Sequence, residues 1–494
     1  MAVGEPGAPS RPAVRLDSGF GLHGMSIGIR GNGVGPEREG RDAQSASQCS
    51  PRGRTRLRAA ILPNVTELAF PEGFLWGTAT AGHQVEGDND NSDWWEFENR
   101  PDSPCHEPSG SAIEHYKRYT RDIALLAKLG FNTYRFSVEW PRIEPSEGEF
   151  DVTQLDHYRR VVEAVRKAKL TPMVTLNHFT LPLWVAKQGG WLAPTTPALF
   201  ERFTRKVVEA LGDNVGWYCT INEPGMVALG GYMSGFIFPP GVTGLANWKQ
   251  AISTLREAHR RARGVIKELR PAARVGQAHA MHEWEANAGG VPVMNYLRRM
   301  NEDLFLEESL EDDFVGVQTY TRMSVELPRL AGLAIGPALA VPALETRLAQ
   351  HARHRQKSGP MAEELARSGV RLTQNGWEYR PRAVAAAVRR AAAMVPGKPI
   401  VVTEHGIATA DDAERVSFIG EGLTALHAAI ADGVPLVGYT HWSAFDNFEW
   451  GQGYQMQFGL IGVDRATQER TIKPSARMLG GIARANKMAV PSPQ

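Results

Sequence analysis

The sequence predicts an α/β fold, a single closed barrel of eight parallel strands each followed by a helix, and three observations predict it. From Phe70 onward, short β-branched runs alternate with longer runs of helical period, the pattern of a parallel sheet wrapped by helices. Eight strand runs occur, the number that closes such a barrel. Their ends carry polar residues, Glu223 and Glu404 among them, and in this architecture the carboxyl ends of the strands form the mouth where chemistry sits.

Taken in order, the first run covers 75–84 and ends on Gln84, with Glu86 beyond it. The second, 133–140, holds Arg135 and Glu139; the third, 171–178, ends on Asn177 and His178. The fourth, 217–222, runs into Asn222, Glu223 and Pro224, so the strand breaks where the carboxyl emerges. The fifth, 274–282, ends on His282 and the sixth, 314–320, on Gln318 and Tyr320. The seventh, 399–405, delivers Glu404 and His405 ahead of Gly406, a glycine read here as permitting a sharp turn, and the eighth, 436–443, carries Trp442. Helical periodicity spans 112–129, 155–169, 197–211, 248–269, 382–394 and 412–432. The Ala-, Leu- and Arg-rich stretch 322–372 reads as a long insertion, part of which shapes the entrance. Any one of these polar residues reads equally well as a satisfied group of the barrel rim; their recurrence at every strand end points to a site.

The barrel domain is expected over 67–488, between a leading segment 1–66 and a short tail 489–494. The leading segment is rich in Gly, Pro, Arg and Ser, lacks lysine and shows neither structural period, so disorder is expected. Arg52, Arg54, Arg56 and Arg58 precede an apolar run that Pro63 ends, short of the roughly 7–15 apolar residues of an export signal. A flexible tail or a translated upstream stretch fits it better.

Composition excludes several functions. With 42% hydrophobic residues, 22% charged and a formal net charge of +1, the chain is of the ordinary globular class and has no general pull toward nucleic acid. No apolar stretch approaches the roughly 20 residues of a membrane helix. Three cysteines, Cys49, Cys105 and Cys219, build neither a disulfide framework nor a thiolate cluster, which suits a reducing, cytoplasmic setting. Cys219, inside a strand run, reads as a packing residue. No metal is implied, since neither a His-Glu-x-x-His pair nor a calcium loop occurs. No cofactor is implied either: Gly230-Gly231 and Gly451-Gln452-Gly453 lack the strand, turn and lysine of a nucleotide site. Nothing in the pattern specifies an oligomeric state.

Two strand-end carboxyls facing one pocket suit glycosidic cleavage, which needs a proton donor and a carboxylate that attacks the sugar carbon. Glu223 suits the acid, its pKa raised by apolar burial or a neighbouring carboxylate. Glu404 suits the nucleophile, kept ionised by Arg135 and Tyr320, although Arg135 also reads as a structural ion pair of the rim. Asn222 is placed to reach a sugar hydroxyl. Gln84, His178 and Trp442 offer further polar and flat groups, and Asp446-Asn447-Phe448-Glu449-Trp450 sets an acidic group beside an indole. His178 alone reads more readily as a structural histidine.

These motifs resemble, in order, those of glycoside hydrolase family 1, the β-glucosidase and β-galactosidase family. Phe70-Pro71-Glu72-Gly73-Phe74-Leu75-Trp76-Gly77-Thr78-Ala79-Thr80 with Gln84-Val85-Glu86-Gly87 is similar to its N-terminal signature. Tyr134-Arg135-Phe136-Ser137, Trp140-Pro141-Arg142-Ile143 and Thr220-Ile221-Asn222-Glu223-Pro224 are similar to its second and fourth strands. Trp442-Ser443-Ala444-Phe445-Asp446-Asn447-Phe448-Glu449-Trp450 and Phe458-Gly459-Leu460 are similar to its closing segments. The resemblance implies a TIM barrel and a retaining β-glycosidase of small-molecule β-glycosides or oligosaccharides, with Glu223 as acid/base and Glu404 as nucleophile. It also implies a carboxyl separation of roughly 5–5.5 Å, glycone contacts from Gln84, His178, Asn222, Glu449, Trp450 and Phe458, a platform at Trp442, and tuning of Glu404 by Arg135 and Tyr320. Terminal β-D-glucosides are the expected substrates. β-Galactosides, β-fucosides and transfer to another acceptor use the same residues, and a sugar-binding barrel without turnover is the alternative outside catalysis. Glu449 argues against 6-phosphorylated sugars by charge repulsion. Two departures from the family pattern, His405 for asparagine and Gln318-Thr319-Tyr320 for asparagine-tyrosine-tyrosine, are expected to bear on the hydrogen bonding of Glu404.

Overall fold

The computed structural model describes residues 26–27, 65–235, 238–327 and 369–491. Eight strands close a parallel barrel: β1 (Leu75–Ala79), β2 (Thr133–Ser137), β3 (Thr171–Asn177), β4 (Trp217–Asn222), β5 (Arg274–Ala280), β6 (Val315–Gln318), β7 (Ile400–Glu404) and β8 (Leu436–Trp442). Each pairs with its successor in the chain, and β8 closes onto β1 through Gly438 to Leu75 and Trp442 to Ala79. β2 and β7 are buried along their whole length, as strands covered on both faces must be.

The following helices are α1 (His115–Leu129), α2 (Val152–Lys167), α3 (Thr196–Leu211), α4 (Leu245–Leu269), α5 (Val291–Arg298), α6 (Ala383–Met394), α7 (Asp412–Ala431) and α8 (Pro474–Ala485). Their ends carry local signals. Asp151 caps α2 by accepting from Thr153 N at 2.7 Å, and Asp411 caps α7 by accepting from Ala413 N at 2.9 Å. Gly130 ends α1 at a φ of 108°. Low in the barrel, Met173, Cys219, Phe314 and Val401 form a small hydrophobic cluster, in which Cys219 packs. Above it the interior turns polar, with Arg135, Thr175, Asn222 and Glu404 buried together.

Several boundaries differ from the sequence reading. The first strand stops at Ala79, and Gln84 lies on a short helix, Gly82–Val85. The second stops at Ser137, before the helix Trp140–Ile143. In both, the chain stays buried past the strand end, at Thr80, Ala81 and Gln84 after the first and at Val138 and Glu139 after the second. The expected leading segment 1–66 lies outside the described residues except for Ser26–Ile27, which pair with Ser324 and Val325, and the start of the strand Val65–Ala69. That strand pairs antiparallel with Lys487–Pro491, so ordered structure reaches into the expected tail 489–494. Of the insertion 322–372, residues 328–368 lie outside the described residues; its first part, Arg322–Val325, is a strand beside Glu283–Ala286.

Asn486 joins the two ends of the fold. Its Oδ1 accepts from Trp76 Nε1 at 2.9 Å, its amide donates to Phe70 O and Pro71 O, and its φ is 52°, a conformation asparagine tolerates better than most residues. Asn486→Ala leaves the buried indole N–H unpaired and is expected to cost about 1–3 kcal/mol. Urea denaturation should show this as a lower midpoint with an unchanged slope.

Candidate active site

Arg135 anchors the site. It rises from the middle of β2 with 1% of its surface exposed, and a buried guanidinium needs acceptors for its donors. Nη1 donates to Glu404 Oε1 at 2.6 Å and to Thr403 O at 3.4 Å; Nη2 donates to Asn222 Oδ1 at 2.5 Å; Nε donates to Thr175 Oγ1 at 3.1 Å. Tyr320 OH donates to the other oxygen of Glu404. Four strands are thereby tied to one cation. Asn222 Oδ1 also accepts from Gln318 Nε2 at 2.9 Å, and its amide donates to His178 Nε2 at 3.2 Å. With Nε2 accepting, the His178 hydrogen sits on Nδ1, which has no partner within the protein.

Glu223 follows β4 at φ 45° and ψ 56°, as N-cap of the short helix Pro224–Leu229. This left-handed conformation is strained for a side-chain-bearing residue. It is held by the bond from Glu223 N to Ala278 O at 2.8 Å and by Pro224 at the first helical position. The cleft beside these groups is lined by Glu223, Glu404, Asn222, His178, Glu449, Tyr320, Trp442 and Trp450, with Phe179, Met226, Phe238 and Trp377 as apolar neighbours. His178 lies nearly parallel to Trp442 and Trp450, at 22° and 14°. Gln84 Nε2 donates to Phe448 O at 2.6 Å and to Glu449 Oε2 at 3.3 Å, leaving Gln84 Oε1 unpaired.

The carboxyls sit in unequal fields. Burial raises the pKa of Glu223 well above the usual glutamate value, and the charge of Glu404 raises it further. Burial also raises Glu404, but the Arg135 charge and the hydrogen bonds from Tyr320 and Arg135 oppose it. Both values stay raised, Glu223 the further, so Glu223 holds its proton more tightly than Glu404 does. Glu449 is pushed up to about 8 by burial and by Glu404, against the indole of Trp442 and the amide of Gln84. His178 is held neutral, its pKa driven well below the usual value by burial and then by Arg135.

Some sequence candidates fall elsewhere. The His405 ring turns away from Glu404: Nε2 meets Pro381 O at 3.2 Å, Nδ1 meets Tyr439 OH at 3.1 Å, and the ring stacks on Phe418 of α7. Its pKa is pushed down to about 3 by burial, and it does not touch the neighbouring carboxylate as expected. Gly406 is required by contact, since a Cβ there would lie 1.8 Å from Trp442 O. Phe458 is not among the lining residues; it packs behind the cleft on Tyr320 and Trp377. Glu86 and Glu139 join a cluster behind the wall with Arg142, Tyr158 and Asn89, and His282 pairs with Glu302. The sequence reading missed Trp377 and Phe179; Phe179 beside His178 was the available cue, and Trp377 had none.

The family model for glycosyl hydrolase family 1 matches residues 66–307 and 312–488. β-Glucosidase A of Thermotoga maritima is 31% identical over 467 residues, covering 84% of this chain and 98% of its own. The solved β-glycosidase BGL167 is 41% identical, covers 86% of this chain and 99% of its own, and superposes with a TM-score of 0.72. A β-glycosidase from Pyrococcus horikoshii is 31% identical over 86% of this chain and 96% of its own, with a TM-score of 0.74.

A carboxyl whose folded pKa is raised contributes stability fully below its unfolded value, near 4.5 for Glu223, and loses it as pH rises through the folded value. Glu223→Gln removes that loss. The variant should gain thermal stability over the parent as pH goes from 5 to 8, and the difference should shrink at pH 4.

Proposed function

Because the chain belongs to glycosyl hydrolase family 1, whose members cleave β-glycosides with retention, we propose that it hydrolyses terminal non-reducing β-D-glucosides using Glu404 as nucleophile and Glu223 as acid/base. The observation that carries the assignment is the asymmetry around the two carboxyls: Arg135 and Tyr320 both donate to Glu404, while burial and the Glu404 charge favour protonated Glu223.

In the first step a Glu404 oxygen attacks the anomeric carbon as the bond to the aglycone oxygen breaks, and Glu223 protonates that oxygen, giving a glycosyl ester and a free alcohol. In the second, Glu223, now a carboxylate, takes a proton from water as the water oxygen attacks the same carbon and the ester bond breaks. Tyr320 OH follows the departing carboxylate and steadies its returning charge. His178 Nδ1–H and Gln84 Oε1, unpaired within the protein, are a donor and an acceptor suited to sugar hydroxyls, as is the second amide hydrogen of Asn222. Trp442 and Trp450 offer flat faces to the ring. Phe458 acts from behind, through Tyr320 and Trp377.

The glucoside preference is supported by the Thermotoga relative, named a β-glucosidase. No helix among the described residues is long and apolar enough to cross a membrane. Cys105 and Cys219 are free thiols, which supports a reducing, cytoplasmic setting.

Glu404→Ala should abolish release of 4-nitrophenol from its β-D-glucoside, and azide should restore it with formation of the α-glucosyl azide. Glu223→Ala should lower kcat/KM for glucosides of poor leaving groups by about 10²–10⁴-fold while sparing kcat/KM for the 2,4-dinitrophenyl glucoside, whose kcat falls because the second step loses its base. No hydrolysis of any β-glycoside would overturn the proposal. Tyr320→Phe removes a donor to ionised Glu404, so the acid limb of kcat/KM against pH should move to higher pH; an unmoved limb would assign it to another group.

A further inference from the structure

Behind the glycone side of the cleft lies a second hydrogen-bonded cluster that the chemistry above does not use. His83, on the short helix Gly82–Val85 immediately before Gln84, is fully buried. Its Nε2 lies 3.2 Å from Glu98 Oε2, and its Nδ1 lies 3.2 Å from Asn89 Nδ2. The other hydrogen of that amide goes to Glu139 Oε2 at 2.8 Å, so Nδ1 accepts and Nε2 carries the hydrogen donated to Glu98. Glu98 is itself fixed, its other oxygen accepting from the backbone and hydroxyl of Ser109. Both ring nitrogens are thus tied to buried partners, and the imidazole plane has no freedom to turn.

That plane meets Trp450. The two rings lie 5.6 Å apart at 3°, while Trp450 holds a left-handed backbone at φ 45°, a strained conformation that lasts only if its surroundings enforce it. The next residue of the same turn, Gln84, binds Phe448 O and Glu449 Oε2. Two adjacent residues of the first loop therefore hold consecutive residues of the last.

We propose that His83, locked by Glu98 and Asn89, is a positioning residue that sets the plane of Trp450 and the placement of Glu449, and thereby the discrimination of the sugar's exocyclic hydroxyl. The inference rests on the reading of Glu449 and Trp450 as glycone contacts.

Its test compares 4-nitrophenyl β-D-glucoside with the 6-deoxy analogue. In His83→Phe, which keeps a flat ring but loses both hydrogen bonds, the glucoside to 6-deoxyglucoside ratio of kcat/KM should fall by about 5-fold or more, mainly through KM, with kcat on the 6-deoxy substrate within about twofold. In a Glu449→Gln background the same substitution should move the ratio by less than about twofold. An unchanged ratio, or equal loss on both substrates, would overturn the inference. Should His83→Phe fail to fold, the isosteric Glu98→Gln must show the same fall. Affinities for D-glucose and 6-deoxy-D-glucose, from ligand-observed NMR on wild type and His83→Phe, give the ratio without turnover. Inactivity of the wild-type enzyme would then count against the proposed hydrolysis alone.

Discussion

The buried Arg135 guanidinium is the constraint on which the rest of the site depends. A charge taken out of water in a barrel interior is tolerated only when its hydrogen bonds are met, and its acceptors come from β3, β4 and β7. Each acceptor is thereby fixed in turn. Asn222, with its oxygen committed to Arg135 and Gln318, turns its amide toward His178, which leaves the other His178 nitrogen open. Glu404, held on one oxygen by Arg135, offers the other to Tyr320. One cation thus orients a carboxylate, an amide and an imidazole that lie far apart in sequence.

The two glutamates differ because their backbones differ. Glu404 ends β7, where the pairing register shifts between Val402 and Glu404, and its side chain lies in the polar layer beside Arg135. Glu223 sits where β4 breaks, in a left-handed conformation that turns it into the cleft beside apolar groups. The same buried setting raises both pKa values, and the cation and phenol on one side separate them. A cleft holding three buried carboxyls, Glu449 included, is poor for stability, and that is the recurrent trade between active sites and the folds that carry them.

Much of this was legible in the chain. The eight barrel strands overlap the eight apolar runs, because a strand buried on both faces is written as a continuous apolar segment. Glu223, Glu404, His178 and Trp442 were found as strand-end residues, since a barrel puts its mouth there. Local grammar was misleading where loops are buried: the run read as 75–84 extended β1 over 80–84, buried residues that form a loop and the start of a short helix. His405 was a candidate by adjacency alone. Neighbouring residues of a strand point to opposite faces, so the residue after an inward Glu404 faces the helices, where Phe418 and Pro381 receive it.

By itself the sequence determined the barrel, its strand order and the identity of the paired carboxyls, because periodicity and strand-end chemistry are local properties of the chain. Only the tertiary structure decided which polar residues share one field. Trp377 reaches the cleft from beyond a long insertion, Phe458 withdraws behind Tyr320, and His83 stacks on Trp450 from the far end of the barrel sequence. Those relations depend on where loops from different strands meet above the barrel, and loop meetings are set by packing between distant segments, which no local pattern records.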